Sequence, residues 1–237
     1  MDRRICHVCS LGRIDYGIAW KMQKALAAAR AEERIPDTLL LLEHPPTYTL
    51  GRRTDPSHFL VPRELLLRQG VAVYHVDRGG DITFHGPGQL VGYPVLNLQG
   101  CPGGPSRYLR DLEEVLIEGL AALGVASGRL SGFTGVWVGH EKIAAIGVKI
   151  NARRITEHGF ALNVSTDLHY FNQIVPCGIR EKGVTSLEQV LGRSVAIYEV
   201  EREVAHAFGK VFDLEMVEVS PIEIASFIEE KHEAARS

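Results

Sequence analysis

KIAAIGVKINARRITEHGFALNV, residues 142–164, contains two apolar segments, 142–150 and 155–164, that are separated by a short polar turn. Each segment has the length and composition of a strand, and the short connection indicates that the two strands are antiparallel neighbours. A third strand-like segment, residues 135–138, precedes them. The centre of the chain is therefore predicted to form an antiparallel sheet.

Strands and helices surround this centre without alternating regularly. The segments predicted as strands are 5–11, 38–43, 48–50, 71–76 and 90–98, and those predicted as helices are 15–33, 62–69, 106–123, 167–174, 186–191, 198–212 and 221–230. Asp15 and Ser106 are the predicted N-caps of the first and third helices, and Ile18 is predicted to lie on the buried face of the first. The pattern predicts an α+β fold with a mixed, largely antiparallel sheet flanked by helices.

The chain has 237 residues, which indicates one domain with at most a small appendage. The predicted division is a main domain at 1–215 and a C-terminal helical extension at 216–237, packed on it or partly mobile. Four cysteines in a chain of this length do not make a disulfide framework. Because the N-terminus lacks a signal peptide and no apolar run approaches a membrane span, we expect a cytoplasmic protein without a membrane partner.

The charge balance excludes a protein that coats nucleic acids. The formal net charge is −3 at neutral pH, whereas such proteins carry a basic surplus. Three arginine pairs are either local docking points for an acidic partner or ordinary surface charge. They are Arg3-Arg4, Arg52-Arg53 and Arg153-Arg154.

Several common catalytic motifs are missing from the sequence. No phosphate-binding loop of the Gly-x4-Gly-Lys-Ser/Thr type occurs, and the spacing after Gly88 is wrong for a dinucleotide fingerprint. Cys6 and Cys9 have half the spacing of a zinc site, without a second pair to complete it. A redox role for them is an alternative to a half-buried first strand, which we favour.

A glycine-rich stretch, RGGDITFHGPGQL at residues 78–90, combines polar and apolar side chains. If residues 81–85 are extended, their side chains alternate between a polar face (Asp81, Thr83, His85) and an apolar face (Ile82, Phe84). The stretch is either a polar rim over an apolar binding wall or a tight hairpin with glycine–proline turns. The residues alone leave both interpretations open.

Two further residues carry reactive groups. Lys142 begins an apolar strand, where partial desolvation makes a lysine a usable base, although its side chain could instead extend to solvent. Cys177 lies between Pro176 and Gly178, where a thiolate beside a base readily forms thioesters. The alternative is an inert buried cysteine. Only the tertiary fold can bring Cys177 and Lys142 together, because they are far apart in sequence.

These stretches occur together in the order of a known family. RGGDITFHGPGQL (78–90), KIAAIG (142–147), HGFALN (158–163) and PCGI (176–179) resemble the motifs of the lipoyl(octanoyl) transferase family of lipoate synthesis. The resemblance spans about residues 10–190. It implies a fold similar to the biotin and lipoate protein ligases, in which a mixed sheet is flanked by helices. Those ligases share the glycine-rich and lysine strands but lack the Pro-Cys-Gly motif.

The resemblance implies an acyltransferase mechanism for the domain at 1–215. An octanoyl or lipoyl group passes from acyl carrier protein to the target lysine of a lipoyl domain, in a 2-oxoacid dehydrogenase or in the glycine-cleavage carrier protein. Cys177 is the implied nucleophile that carries the acyl group as a thioester, and Lys142 is the implied general acid and base. Lys149 and His85 are weaker candidates for the base. No cofactor or metal is implied, because the acyl group arrives activated on phosphopantetheine.

The resemblance also implies which residues surround the acyl chain. They are Arg78, Gly79, Gly80, Asp81, Ile82, Thr83, Phe84, His85, Ala145, Ile146, Gly147, His158, Gly159 and Phe160. Their small and apolar members suit an eight-carbon tail. Backbone N–H groups near Cys177 or Gly147 are candidates for the oxyanion hole.

Three other functions compete with this interpretation. An ATP-dependent lipoate or biotin ligase would use the free acid and would be indifferent to the loss of Cys177. A non-enzymatic module would bind lipoyl domains without modifying them. A cysteine hydrolase would use Cys177 with His85 or His158 and release the free acid. We expect the transferase, acting as a monomer.

Overall fold

The computed structural model describes residues 3–99, 103–175 and 183–234, which form twelve strands and six α-helices. The strands are β1 (Arg4–Arg13), β2 (Asp37–Glu43), β3 (Thr47–Leu50), β4 (Ala72–His75), β5 (Ile82–His85), β6 (Gln89–Val95), β7 (Gly128–Leu130), β8 (Phe133–Val138), β9 (Glu141–Ile150), β10 (Thr156–Asn163), β11 (Gly183–Val184) and β12 (Leu214–Glu218). The α-helices are α1 (Tyr16–Ala31), α2 (Arg63–Arg68), α3 (Gly104–Ala122), α4 (Leu187–Leu191), α5 (Ile197–Phe212) and α6 (Pro221–Ala234). Short 3-10 helices cover Pro56–His58 and Leu168–Gln173.

The main sheet is mixed and largely antiparallel, which confirms the predicted fold class. Its strand order is β12-β1-β2-β6-β10-β9-β8-β7, and β11 pairs with β9. β1 is parallel to β12 and β2, and β11 is parallel to β9, whereas the other pairs are antiparallel. The two central segments of the sequence become β9 and β10, which pair from Ile150 with Thr156 to Ala144 with Leu162.

Helices cover both faces of this sheet. In β2, Leu39 and Leu41 belong to the core beneath α3 and α5, whereas Leu40 and Leu42 belong to the core beneath α1 and α6. Successive side chains of a strand point to opposite faces. A strand that is covered on both faces is therefore apolar at every position, as the run of four leucines in β2 is.

A second sheet carries the glycine-rich stretch. Its order is β4-β3-β5, with β3 parallel to β4 and antiparallel to β5. Tyr48 and Phe84 lie in a separate core beneath it. The N–H of Gly79 donates to the carbonyl of Val148 at 2.9 Å, so that the stretch before β5 lies directly against β9.

The first helix has the predicted cap but a different buried face. The Asp15 side chain accepts a hydrogen bond from the Ile18 N–H at 3.1 Å, as predicted. The prediction that Ile18 is buried is wrong, since its side chain is 56% exposed. The buried residues of α1 instead include Tyr16, Ala19, Gln23 and Leu26. Gln23 faces inward, where its Oε1 accepts a hydrogen bond from the His158 N–H at 2.8 Å, and the buried Tyr16 hydroxyl forms a hydrogen bond with Tyr93.

The predicted cap of the third helix is wrong. α3 begins at Gly104, and its N-cap is Gly103 rather than Ser106. Gly103 has a φ of +88°, in the left-handed region that glycine adopts without strain. Pro105 occupies the first turn, where its fixed φ and missing N–H are tolerated. The helix therefore starts before Ser106.

The C-terminal part supplies a strand that the sequence did not predict. β12 pairs in parallel with β1, from Leu214 opposite Arg4 to Glu218 opposite Val8. The predicted boundary between residues 215 and 216 lies inside this strand, and α6 then packs against α1 and β1. None of the described helices is both long and apolar enough to cross a bilayer.

Candidate active site

A small cavity, with a volume of about 50 Å³, lies between α1, the glycine-rich stretch and the paired strands β9 and β10. Twelve of the residues predicted to surround an acyl chain line it, namely Arg78, Gly80, Asp81, Ile82, Thr83, His85, Ala145, Ile146, Gly147, His158, Gly159 and Phe160. Tyr16, Tyr93 and Ala161 complete the lining. The fold thus brings three separate sequence segments to one cavity.

A larger groove of about 560 Å³ adjoins the cavity and is lined by Lys142 and Gly79. The walls that the two spaces share are formed by Gly80, Asp81, Ala145, Ile146 and Gly147. Tyr16, Tyr93 and His158, which line only the cavity, are almost completely buried. The groove is therefore the approach from solvent, and the buried aromatic residues form the closed end.

Among the described site residues that were predicted, Phe84 lines neither the cavity nor the groove. The ring of Phe84 stacks on Tyr170, with centroids 4.3 Å apart and planes at 5°, on the opposite side of β5. It therefore supports the second sheet rather than contacting the cavity. The predicted nucleophile Cys177 lies outside the described residues. The described residues on either side of it, Val175 and Val184, contact His58 and Lys142 through the backbone.

Arg78 begins a chain of hydrogen bonds beside the cavity. Its Nη2 donates to the carbonyl and to the hydroxyl of Thr49, at 2.8 Å in both cases. The Thr49 hydroxyl lies 3.3 Å from Nε2 of His85, and Nδ1 of His85 lies 2.9 Å from Oε1 of Gln89. Since an amide oxygen only accepts, Nδ1 of His85 donates and Nε2 accepts from Thr49.

Gln89 extends this chain to the lysine strand. Its Nε2 donates to Oδ1 of Asn163 at 3.0 Å, and Nδ2 of Asn163 donates to the carbonyl of Thr185 at 3.0 Å. The N–H of Thr185 donates to the carbonyl of Lys142, also at 3.0 Å. Buried and satisfied polar networks hold their members in one arrangement. This network therefore sets the position of Arg78 relative to the Lys142 backbone.

His158 has an unusual backbone conformation for a strand residue. Its φ is +60°, a region that costs a residue with a side chain roughly 1–3 kcal/mol. Two hydrogen bonds hold it there. The His158 N–H donates to Oε1 of Gln23 at 2.8 Å, and Nε2 lies 2.8 Å from Oδ1 of Asp77.

Asp77 joins His158 to a charged cluster beside the cavity. Lys149 donates to Asp77 at 2.8 Å and lies 2.9 Å from Glu157. Burial opposes ionisation of Asp77, but hydrogen bonds from His158 and Lys149 outweigh it and hold its pKa well below the ordinary value. Burial lowers the pKa of His158, so the ring is neutral at pH 7, with its Nε2 proton toward Asp77.

Lys142 is the second residue of β9 and is half-buried at the groove. Opposite it, the pairing of β8 with β9 shifts by one residue between Val136 and Trp137. Such a bulge re-aims the side chains of a strand. The Lys142 ammonium lies 4.8 Å from the centre of the Trp137 ring, a cation–π contact that holds the side chain over the ring.

Comparison with known proteins identifies the family. The family model described as the lipoyl protein ligase A/B catalytic domain matches residues 15–209. The chain belongs to this family. The octanoyltransferase of Rubrobacter xylanophilus is 53% identical over 201 residues, covering 84% of this chain and 90% of that protein. The octanoyltransferase of Chloroflexus aggregans is 48% identical over 216 residues, covering 90% and 98%. These relatives confirm the predicted family and the predicted enzyme class, an acyltransferase.

Solved structures with the same fold include ligases. A bipartite lipoate protein ligase from Thermoplasma acidophilum matches with a TM-score of 0.71 at 16% identity, covering 96% of this chain and 91% of that one. The biotin protein ligase of Aquifex aeolicus matches with a TM-score of 0.51 at 14% identity, covering 88% and 69%. Identities this low show the fold alone, and they confirm the predicted lipoate and biotin ligase fold.

Lys149 and His85 are the two weaker candidates for the base in this lipoyl protein ligase A/B domain, and both are poorly suited to that role. Although burial opposes the charge of Lys149, the hydrogen bonds that its ammonium donates to Asp77 and Glu157 raise its pKa, so it remains an ammonium. Burial, with the charges of His44 and Arg78, lowers the pKa of His85 well below its ordinary value. Both ring nitrogens of His85 also have partners. Lys142 is the described candidate that lines the groove.

Several site residues of this lipoyl protein ligase A/B domain were not predicted. Tyr16 and Tyr93 line the closed end of the cavity, and Thr49 and Asp77 hold Arg78 and His158. The sequence offered an indication for Asp77, because this residue directly precedes the glycine-rich stretch. It offered none for Tyr16 and Tyr93, since their segments have the pattern of an ordinary helix and an ordinary strand. Only the packing of α1 on the sheet brings Tyr16 to the cavity.

Replacement of Asp77 by asparagine is expected to lower the free energy of unfolding by about 1–3 kcal/mol. The amide keeps the shape but loses the charge that accepts hydrogen bonds from His158 and Lys149. Urea denaturation at pH 7 measures the change. Asp111→Asn, which breaks a surface pair with Arg107, is the control and should change stability by less than about 0.5 kcal/mol. If Asp77→Asn and Asp111→Asn lost the same free energy of unfolding, the stabilising role of the charged cluster around Asp77 would be contradicted.

Stability is expected to fall as the pH drops below 6.5, partly because of His44. Burial lowers the pKa of His44 from 6.5 to about 4. At a pH between these two pKa values, His44 binds a proton in the unfolded chain but not in the folded chain. Unfolding is therefore favoured by up to about 3 kcal/mol. Urea denaturation at pH 7.5 and at pH 4.5 gives the free energy of unfolding at each pH. Between the two, this free energy should drop less for His44→Gln than for wild type. A variant of the exposed His140, His140→Gln, should keep the wild-type drop; an unchanged drop in His44→Gln would refute this prediction.

Proposed function

We propose that the protein transfers an octanoyl group from the phosphopantetheine thioester of acyl carrier protein to the target lysine of a lipoyl domain. The lipoyl domains are those of 2-oxoacid dehydrogenases and of the glycine-cleavage carrier protein. The observation that carries the proposal is the close similarity to octanoyltransferases over nearly the full length of those relatives. Cytoplasmic location and a monomeric state stay predictions.

The geometry of the described residues supports this function. The cavity walls combine apolar Ile146, Phe160 and Ala161 with glycines, which suits an aliphatic chain. The cavity opens into the groove where Lys142 lies. An acyl chain in the cavity would therefore have its carbonyl end directed toward the groove.

In the first step, the Cys177 thiolate attacks the carbonyl carbon of the donor thioester. A carbon–sulfur bond to Cys177 forms and the bond to the pantetheine sulfur breaks. Lys142 accepts the proton that Cys177 loses and passes it to the departing thiolate. The products are octanoyl-Cys177 and the free carrier thiol.

In the second step, the target lysine amine attacks octanoyl-Cys177. A carbon–nitrogen bond forms, and the Cys177 thiolate leaves. Lys142 takes the proton of the incoming amine, which must be neutral to attack, and returns it to Cys177. Conversion of a thioester into an amide is downhill, so neither ATP nor a cofactor is proposed.

A transfer assay with three mixtures tests the proposal. The protein and a lipoyl domain are combined with octanoyl-acyl carrier protein alone, with octanoate and ATP, or with octanoyl-acyl carrier protein lacking the lipoyl domain. Intact-mass spectrometry should show an octanoyl gain on the lipoyl domain in the first mixture and on the protein itself in the third. Modification only in the second mixture would establish an ATP-dependent ligase instead. Free octanoate in the third mixture, without an adduct, would establish a hydrolase.

A further inference from the structure

The structure separates the three arginine pairs of the sequence. Arg3 and Arg4 are already engaged, since Arg3 pairs with Asp213 at 2.9 Å and Arg4 with Asp37 at 3.3 Å. Arg4 begins β1 and Arg3 directly precedes it, near the opposite edge of the main sheet from the groove. Both arginines therefore already form ion pairs within the protein.

Arg153 and Arg154 are exposed in the turn between β9 and β10. Lys142 and Ile150 lie eight residues apart on β9 (150 − 142), which corresponds to roughly 26 Å along a strand. The turn that follows Ile150 is therefore remote from the lysine end of the strand. This pair is exposed but does not line the groove.

Arg52 and Arg53 lie directly on the glycine-rich stretch. The N–H of Arg52 donates to the carbonyl of Arg78, and the N–H of Arg53 donates to the carbonyl of Gly80, both at 3.1 Å. Gly51 permits this approach, because a Cβ there would lie 2.5 Å from the Gly80 carbonyl oxygen. The backbone of Arg52 and Arg53 is therefore held in a fixed position against the glycine-rich stretch.

Arg53 lines the groove and is exposed. Among the described residues, no carboxylate lies within ion-pair distance of Arg53. The acidic residue nearest to it in sequence, Asp55, accepts a hydrogen bond from the Ser57 N–H at 2.8 Å. Arg53 is therefore able to pair with an incoming anion.

The other charged residues of the groove leave it positive. Asp81, the acidic residue in its described lining, lies 2.5 Å from Nδ1 of His58. Lys142 contributes a second cation at the inner end, next to the cavity. The described lining thus carries the formal positive charges of Arg53 and Lys142 against the single negative charge of Asp81, so an anion that enters the groove would meet a net positive charge.

We propose that Arg53 binds the phosphate of the donor's phosphopantetheine arm. This inference rests on the proposed function, since it concerns the same substrate. A guanidinium binds phosphate oxygens through two parallel hydrogen bonds, which is a strong and directional contact. The phosphate would be held at the rim while the thioester lies near Lys142. Donors with a phosphate would thus be distinguished from acyl thioesters of simple thiols.

Calorimetric binding of 4′-phosphopantetheine and of pantetheine tests the proposal without requiring turnover. Wild type should bind the phosphorylated compound about tenfold more tightly or better. Arg53→Gln should remove this difference and leave pantetheine binding unchanged. Arg153→Gln, a loss of the same charge elsewhere, should keep the wild-type ratio. Equal binding of the two compounds by wild type, or an unchanged ratio in Arg53→Gln, would overturn the proposal.

Kinetic measurements then distinguish a contact of Arg53 with the phosphate from a contact with the surface of the carrier protein. With octanoyl-phosphopantetheine, KM should rise about tenfold in Arg53→Gln, whereas with octanoyl-pantetheine it should stay constant. A rise only with the whole acyl carrier protein would show that Arg53 contacts the carrier instead, and a rise with every donor would show a general structural defect. Either outcome overturns the proposal. Absence of transfer by wild type from any donor refutes the proposed function, while the binding ratio still decides the phosphate contact.

Discussion

Replacement of Cys177 by serine is expected to abolish both octanoyl transfer and the labile octanoyl adduct on the protein. Removal of a catalytic nucleophile costs up to about 10⁶ in rate, because the remaining groups cannot form the covalent intermediate. Serine has a similar size, but its hydroxyl is a much weaker acid than a thiol, so the base that serves Cys177 would not convert it into an effective nucleophile. We therefore expect transfer to fall by at least about 10³-fold.

Intact-mass spectrometry after mixing with octanoyl-acyl carrier protein measures the adduct, and hydroxylamine should remove it from wild type. Peptide mapping should place the adduct on Cys177 and not on Cys6 or Cys9. Burial raises the pKa of Cys9 to about 11 and that of Cys6 even further, so neither forms a thiolate at pH 7. Cys101→Ser, which also removes one thiol, should behave as wild type. An adduct that neutral hydroxylamine removes from Cys177→Ser, and that peptide mapping places on another residue, would refute the assignment.

Replacement of Lys142 by methionine is expected to lower octanoyl transfer by about 10²–10⁴-fold, the usual contribution of general acid–base catalysis. Methionine keeps the length of the aliphatic chain and its packing beside Trp137. The thioester adduct should form slowly, and its transfer to the lipoyl domain should also be slow. Single-turnover measurements of both steps, across a range of pH, give the result.

Two further variants separate proton transfer from charge. Lys142→Arg keeps a cation at the groove but cannot accept a proton at ordinary pH, so it should be as impaired as the methionine variant. Lys24→Met removes a second lysine that lies over a tryptophan, 3.9 Å from the centre of the Trp20 ring, but on the outer surface of α1. It should retain wild-type rates. Near-normal transfer by Lys142→Arg would mean that the lysine supplies charge alone.

Much of the fold could be predicted from local patterns. The apolar run of β2 and the paired segments β9 and β10 have periods and lengths that are set by neighbouring residues, and they formed as expected. β12 could not be predicted in the same way. It is a short strand, and its partner β1 lies at the other end of the chain. Pairing over such a separation is decided by tertiary contacts.

In the candidate site, too, some residues could be predicted from local sequence and others are placed only by tertiary contacts. The resemblance of the glycine-rich, lysine and histidine stretches predicted most of the residues that line the cavity, because motifs record which residue types a function needs. The resemblance also implies that Phe84 surrounds the acyl chain, whereas the structure turns its ring into the second core against Tyr170. Tyr16 reaches the cavity only through the packing of α1.

The sequence by itself determined the α+β class, the family and the reactive residue types, since these depend on periodicity and on short motifs. The tertiary structure alone decided which wall each residue forms, how Asp77 holds His158, and which of the paired arginines lines the groove. The physical reason is that side-chain direction and electrostatic environment arise from elements that are distant in the chain. Arg53 and Arg153 are alike in sequence, and only the fold places one of them at the entrance to the site.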